Sequence, residues 1–480
     1  MSIINSVYIN SLPSHKRKGK VKFMSAYSEY KKNIEAILEP DKSFDILKRS
    51  FTLTYAPEVT FYYIDGFTKD TSMAKIFEHM LGASSLEAVT ENLPYMEFEK
   101  TRDINTLIKA VLSGQAIFII DGSDDAFMVD TREYPSRGIT EPEKDKVLRG
   151  PHDGFCETLI FNTTLIRRRV RDPKLRTEVF SIGELTQTDI VLTYIEGRAE
   201  KKLVDAVRKK LTSIKIGAMN LQQESLGELI ADKRKFNPFP KIRYTERPDA
   251  AAAMLMEGSV EIICDNTPSV MILPTSIFDF LQESDDYYFP AVVGTYLRIV
   301  RLLTILTSLV LPPLWYLLIQ NAEGLPEWLS FILPKESYSL PIYFQLLMGE
   351  LMVDGLKLAS LNTPSALSNS FSIVAGLILG DFAVQMGLFV PQIILLISFS
   401  ALASFAQPSY ELGYANKFMR LITLTLTALF GLWGFIAGFI VMIVLILTNK
   451  TVPGGRGYLY PLIPFNFRGL KRLFTRATLR

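Results

Sequence analysis

The run Leu421–Leu447 (LITLTLTALFGLWGFIAGFIVMIVLIL) carries no charged residue over its whole length. A bilayer core takes about 20 consecutive apolar residues per helical span, and this stretch exceeds that. From Thr295 to about Thr448 the chain reads as a membrane protein, whereas residues 1 to about 290 read as a water-soluble polypeptide. The expected fold class is an α+β or α/β soluble N-terminal domain in two subdomains, followed by an all-α polytopic transmembrane domain. The expected boundaries are a flexible tail over 1–42, subdomains over 43–150 and 151–290, a helical membrane domain of four to six spans over 291–450, and a basic cytoplasmic tail over 451–480.

The net charge of +2 is close to neutral and gives no dense basic face, so nucleic acid is not expected as a partner. The basic run His15–Lys22 reads as a solvated tail, with contact to anionic headgroups as the alternative. The two cysteines, Cys156 and Cys264, read as reduced, buried small apolar residues. Residues 1–20 lack the apolar segment of a cleavable signal peptide, so the first span is expected to insert the chain and leave the soluble domain in the cytoplasm.

The soluble region alternates between strand and helix periodicity. Phe51–Ile64 reads as strand, Ser72–Leu81 as a short helix, and Gln115–Asp121 and Ala126–Thr131 as a hairpin turning at Gly122–Asp125. Cys156–Arg169 reads as a helix whose terminal arginines, Arg167–Arg169, suit the negative end of its dipole. Arg176–Ser181 and Asp189–Ile195 read as strands, Arg198–Leu211 as an amphipathic helix, and Pro248–Glu257 as a helix with proline at its start and Gly258 closing it. Val260–Cys264 and Ser269–Leu273 form a further expected hairpin. No phosphate loop, nucleophile elbow or zinc spacing is present, and His15, His79 and His152 lack metal-ligand spacing. The acids Asp121, Asp124, Asp125 and Asp130 miss the EF-hand pattern and read as a solvated hairpin tip. No catalytic residue, cofactor or metal site is expected, and the chain does not read as an enzyme.

In the membrane region the first span is expected over Ile299–Ile319, with Arg298 and Arg301 at its start and a bend at Pro312-Pro313. The following loop is acidic, which puts the N-terminal domain on the cytoplasmic side. The second segment, Pro341–Leu361, is helical in pattern yet carries Glu350, Asp354 and Lys357 on one face. Charge at membrane depth usually faces a bundle interior or a water-filled path. The alternative is an amphipathic helix at the interface. Segments follow over Ser370–Phe389, where Asp381 is a further candidate acid, and Val390–Ala406. A polar loop, Gln407–Lys417, precedes the last span, Phe418–Leu447, with Gly431, Gly434 and Gly438 as candidate packing positions. The basic C-terminal tail should be cytoplasmic, which requires an even number of crossings and conflicts with five candidate segments.

Three long segments carry a family resemblance. Tyr244–Asp249 (YTERPD) with Leu255–Gly258 and Asp265–Pro274 (DNTPSVMILP), Glu141–Arg169 upstream, and Gly457–Phe465 (GYLYPLIPF) downstream resemble the signatures of the GerA family of spore germination proteins, A-subunit type. Leu361–Asn369 (LNTPSALSN) and Pro408–Lys417 (PSYELGYANK) look more like its stage V sporulation protein AF branch than its nutrient-receptor branch, a departure that counts against direct nutrient sensing. The resemblance implies a multi-pass protein of the spore inner membrane, with both termini on the core side. It further implies a ring-shaped homo-oligomer, other membrane germination subunits as partners, and conduction of monovalent cations along a path for which Glu350, Asp354, Lys357 and Asp381 are the candidates. A non-conducting receptor or signalling subunit, and a scaffold for other germination proteins, are the alternatives.

Overall fold

A computed structural model describes residues 26–91, 97–134, 150–231, 236–283, 285–334, 338–362, 383–449 and 457–475. The chain divides into two compact units, Met1–Pro40 with Ile46–Arg132, and Asp41–Asp45 with Glu133–Arg480.

The first unit runs α1 (Ala26–Leu38), β1 (Ile46–Phe51), β2 (Val59–Ile64), α2 (Asp70–Gly82), α3 (Leu86–Glu91), β3 (Phe98–Thr101), α4 (Ile104–Leu112), β4 (Ala116–Ile120) and β5 (Ala126–Val129). Its antiparallel sheet has the order β1-β2-β4-β5-β3. One phenylalanine from each strand (Phe51, Phe61, Phe118, Phe127, Phe98) stacks on the next, with ring centroids 5.8, 4.9, 5.0 and 5.6 Å apart. Such cross-strand aromatic pairs fix register. The segment Phe51–Ile64, expected as one strand, is the end of β1, a loop and β2. The apolar pattern runs through both strands, and Ala56–Glu58 turns the chain between them.

The second unit opens with the same plan: α5 (Leu159–Arg169), β6 (Leu175–Ile182), β7 (Thr188–Ile195), α6 (Lys201–Ser213), α7 (Gln223–Ile230), β8 (Arg243–Thr245), α8 (Pro248–Met256), β9 (Val260–Cys264) and β10 (Val270–Leu273). The order β6-β7-β9-β10-β8 repeats that of the first sheet. Helices α6 and α7 cover one face through Leu203, Val207, Leu226 and Ile230. Helices α5 and α8 cover the other through Ile166, Ala251 and Leu255. The three terminal arginines of α5 each have a partner: Arg167, fully buried, grips Asp45 at 2.7 and 3.0 Å, Arg169 pairs with Asp153 at 2.5 Å, and Arg168 lies over the Tyr134 ring. Cys264 is buried as expected, Cys156 is half-buried, and neither is in a disulfide.

Glu261 sits at the centre of β9, fully buried, opposite Thr193 and Ile272 in the ladder. Neither its carboxylate oxygens nor the Thr193 hydroxyl has a hydrogen-bond partner among the described residues. Burial therefore pushes its pKa well above the ordinary glutamate range.

The helical region follows: α9 (Asp285–Tyr288), α10 (Ala291–Gln320), α11 (Ile342–Asn362), α12 (Ala383–Gln385), α13 (Pro391–Phe405), α14 (Tyr410–Thr448) and α15 (Phe467–Phe474). Among the described residues α10 and α14 are long and apolar enough to cross a bilayer. The first starts at Ala291, eight residues before the expected span, because Ala291–Val293 continue its apolar pattern. Arg298 and Arg301 thus lie inside it rather than flanking it.

Helix α14 is not one straight span. Gly431, at φ +55° and ψ −132°, reverses it into limbs over 410–430 and 432–448. Only glycine adopts such a backbone readily. A Cβ on Gly434 would collide with the Leu426 carbonyl, and one on Gly438 would lie 2.6 Å from the Thr423 hydroxyl. The expected packing glycines therefore press the two limbs of one chain together. At the base of this hairpin Leu412, Ala415 and Met419 pack with Phe439, Leu445 and Ile446 around Phe239 and Tyr458.

Gly431→Ala should destabilise the protein by about 1–2 kcal/mol, the cost of an L-residue in left-handed backbone, read as a lower midpoint of thermal unfolding in detergent, while Ala437→Gly should cost less. For Glu261, the folded protein keeps its proton where the unfolded chain has released it. Its contribution is therefore full below the ordinary glutamate pKa and is lost as pH rises through the elevated one. Glu261→Gln should flatten the alkaline fall of the unfolding midpoint, and an unchanged slope would refute this assignment.

Candidate functional site

The apolar residues of α10, α11 and α13 form a core around Trp315, Leu346, Ile393 and Ile397, joined by Leu424 of α14. Gly349 lets α11 approach α13, since a Cβ there would collide with the Ile397 side chain. Gln345, fully buried, ties the same helices by accepting from the Val390 amide at 2.9 Å and donating to the Leu340 carbonyl at 2.6 Å.

Into this apolar packing α11 projects its charged face. Glu350, 6% exposed, meets the Arg420 guanidinium at 2.7 Å, and Lys417 at 3.4 Å. Lys417 pairs with Asp354 at 2.5 Å and donates to the Glu350 backbone carbonyl at 2.8 Å. Lys357 donates to the Ser404 hydroxyl at 2.8 Å and lies over the rings of Phe405 and Tyr414. Arg420 also donates to the Ser308 carbonyl at 3.2 Å. In a regular helix that carbonyl would accept from residue 312, but Pro312 has no N–H to give. The proline therefore frees an acceptor inside α10, and Arg420 takes it. The cluster borders a cavity of about 20 Å³, room for one water.

Of the sequence-derived candidates, Glu350, Asp354 and Lys357 come together in this cluster, and Asp381 lies outside the described residues. The basic half escapes the sequence reading. Lys417 falls there in a polar loop and Arg420 beside the start of a span, but α14 begins at Tyr410, so both lie on helix, three residues apart on one face. That spacing, facing an i,i+4 acidic pair, is the signal that could have found them.

A second polar group joins the sheet to α10. Arg247, fully buried just before α8, donates to Asp249 at 2.7 Å, and the Tyr288 hydroxyl donates to the same carboxylate. Burial alone would raise the Asp249 pKa, but these two hydrogen bonds carry it below the usual range, while burial and the Asp249 carboxylate push Tyr288 up to about 12. Two residues earlier, Asp286 is fully buried between Arg298 at 3.3 Å and Arg301 at 2.8 Å, and Arg301 also pairs with Glu283. A polar cavity of about 360 Å³ lies between β8 and the α13–α14 turn, lined by Glu224, Arg243, Tyr244, Asp279 and Glu411 among others.

The family model for the Bacillus/Clostridium GerA spore germination protein matches residues 32–480. The chain belongs to the GerA family. It is 36% identical over 443 residues to stage V sporulation protein AF of Bacillus subtilis (strain 168), covering 91% of this chain and 89% of that protein. It is 32% identical to spore germination protein KA of the same organism, over 82% and 72% of the two chains, and 30% identical to spore germination protein A1, over 85% of each. The higher identity to AF agrees with the branch read from residues 361–369 and 408–417. A solved structure, the N-terminal domain of the A subunit of the Bacillus megaterium spore germinant receptor GerK3, aligns at 26% identity and a TM-score of 0.37, over 52% of this chain and 94% of that one. The chain is thus a GerA-family spore germination protein with apolar helices suited to a membrane.

The charged cluster yields a test on this GerA-family protein. Arg420→Gln leaves Glu350 buried without its closest partner and should cost about 3 kcal/mol, the scale for breaking a buried ion pair from one side. Adding Glu350→Gln should restore most of that loss. A double-mutant cycle on unfolding midpoints in detergent reads the coupling, and strictly additive losses would refute the pair.

Proposed function

We propose that this protein is a subunit of an oligomeric ion-conducting complex of the spore inner membrane, promoting release of monovalent cations during germination together with other membrane subunits. The observation that carries the reading is the cluster of Glu350, Asp354, Lys417 and Arg420 inside an apolar helical bundle. Ionisable groups at such depth are expensive and mark ion paths more often than they serve stability. In this arrangement the acids are occupied by lysine and arginine, which describes a closed path. Opening it requires the acids to exchange those partners for passing cations, and copies of α11 around an axis would repeat them as rings. The reversal at Gly431 supports counting the last of five expected segments as two, an even number consistent with both termini on the core side.

The pairing also favours a second reading. An acid matched to a base within one chain is how a bundle staples its own helices, and a non-conducting receptor subunit or scaffold needs no more than that.

Cation flux through the full-length protein in liposomes, alone and with co-expressed membrane subunits, separates the two. Conduction predicts that Glu350→Gln or Asp354→Asn changes flux or ion preference at unchanged protein abundance. Unaltered flux in both variants, with only a lowered unfolding midpoint, would leave the staple reading.

A further inference from the structure

The C-terminal helix α15 (FRGLKRLF) separates its residue types by face. Wound at 100° per residue, the sequence FRGLKRLF projects Phe467, Leu470, Leu473 and Phe474 to one side and Arg468, Lys471 and Arg472 to the other. Residues 449–480 contain no acidic residue, and Arg476 and Arg480 continue the basic run. Leu473 and Phe474 meet α10 beside Arg298, Leu302 and Ile305, where that helix passes from its buried ion pairs into its apolar stretch. The segment leading into α15 is held at that level too, because the Ile277 amide donates to the Tyr458 carbonyl at 2.9 Å. Yet its apolar side chains are left uncovered: Ile463, Phe465 and Phe467 are 56, 69 and 68% exposed. On α10 itself Ile299, Leu303 and Leu306 are likewise exposed.

We infer that residues 462–474 lie in the membrane interface and that Arg468, Lys471 and Arg472 bind anionic phospholipid headgroups. Three things select this occupant: apolar side chains left exposed beside an apolar helix, a basic face opposite them, and attachment at the level where α10 turns apolar. An interfacial helix with aromatic residues below and cations above has this pattern. Each cation near an anionic surface adds about five-fold to association at low salt. The Arg298 and Arg301 guanidinia beneath the helix are engaged by Asp286 and Glu283, which leaves headgroup contact to α15. The inference does not depend on whether the bundle conducts.

The test is hydrogen exchange of residues 462–474 in the full-length protein, in nanodiscs of phosphatidylcholine alone and with about a third phosphatidylglycerol. Exchange should be several-fold slower in the anionic discs, and the difference should shrink as salt screens the surface. R468Q/K471Q/R472Q should abolish the difference between the two lipids while leaving exchange in neutral discs unchanged. F465S/F467S should speed exchange in both. Equal exchange of the unaltered protein in the two lipids would overturn the inference without recourse to any variant, as would a triple variant that still responds to phosphatidylglycerol. A segment fully protected in neutral discs and insensitive to lipid charge would be covered by protein instead, which also overturns it.

Discussion

A guanidinium inside an apolar bundle must find acceptors or the bundle does not form, and Arg420 finds them on two other helices. On α11 it meets Glu350, and on α10 it meets the Ser308 carbonyl. The second contact exists because Pro312 removes the amide that would otherwise occupy that carbonyl. A proline within a helix is usually a liability, and here the acceptor it frees is where three helices are tied. The close approach at Gly349, the capping by Gln345 and the lysine pair at Asp354 all involve the same helix, α11.

The pairing has a physical cost on both sides. Removing two charges from water costs several kcal/mol per ion, and their attraction returns that only when geometry is good and the remaining donors find acceptors. Glu350 has Arg420 and Lys417, and Lys417 has Asp354 as well as the Glu350 backbone. The network is therefore not a single bond that can be lost quietly. Any rearrangement that freed the acids would have to supply other cations or water in the same place.

Much of the second sheet is legible in the sequence because its elements are regular. Strands β6, β7, β9 and β10 alternate or run apolar between clear turn residues, and α8 announces itself with Pro248 and an alanine-rich body. The short edge strands β3 and β8 and helices α3, α4 and α7 are not, since segments of three to nine residues leave little periodicity. Helix α1 lies within the stretch expected as a flexible tail over 1–42, although Tyr27, Tyr30, Ile34 and Leu38 recur there at helical spacing and are buried, the stripe being half tyrosine and set among charged residues. The reversal in α14 is invisible for a different reason. An apolar run reports its solvent and is blind to one backbone angle at Gly431, so two limbs read as one span. The site is half legible: an acid in an apolar helix stands out, whereas Lys417 and Arg420 near the start of a span look like ordinary flanking charge. Glu261 passes unnoticed because Val260–Cys264 reads as strand with or without it.

The junction between the second sheet and α10 rests on side chains more than on the peptide that links them. Helix α9 has four residues, far too few for stability of its own. It is held because each end carries a group that pairs with a buried arginine: Tyr288 completes the Arg247–Asp249 pair at the start of α8, and Asp286 pairs with Arg298 and Arg301 within α10. The YTERPD segment is thus a structural clamp whose second jaw lies forty residues on, and whose two acids share the work of burying three arginines. From Arg301 it is two turns along α10 to Ser308 and so to Arg420. The polar groups that fix the sheet to α10 and those that tie α10 to α11 and α14 therefore stand on one rigid element, and a displacement of α8 must either break the Asp249 or Asp286 contacts or carry α10 with it.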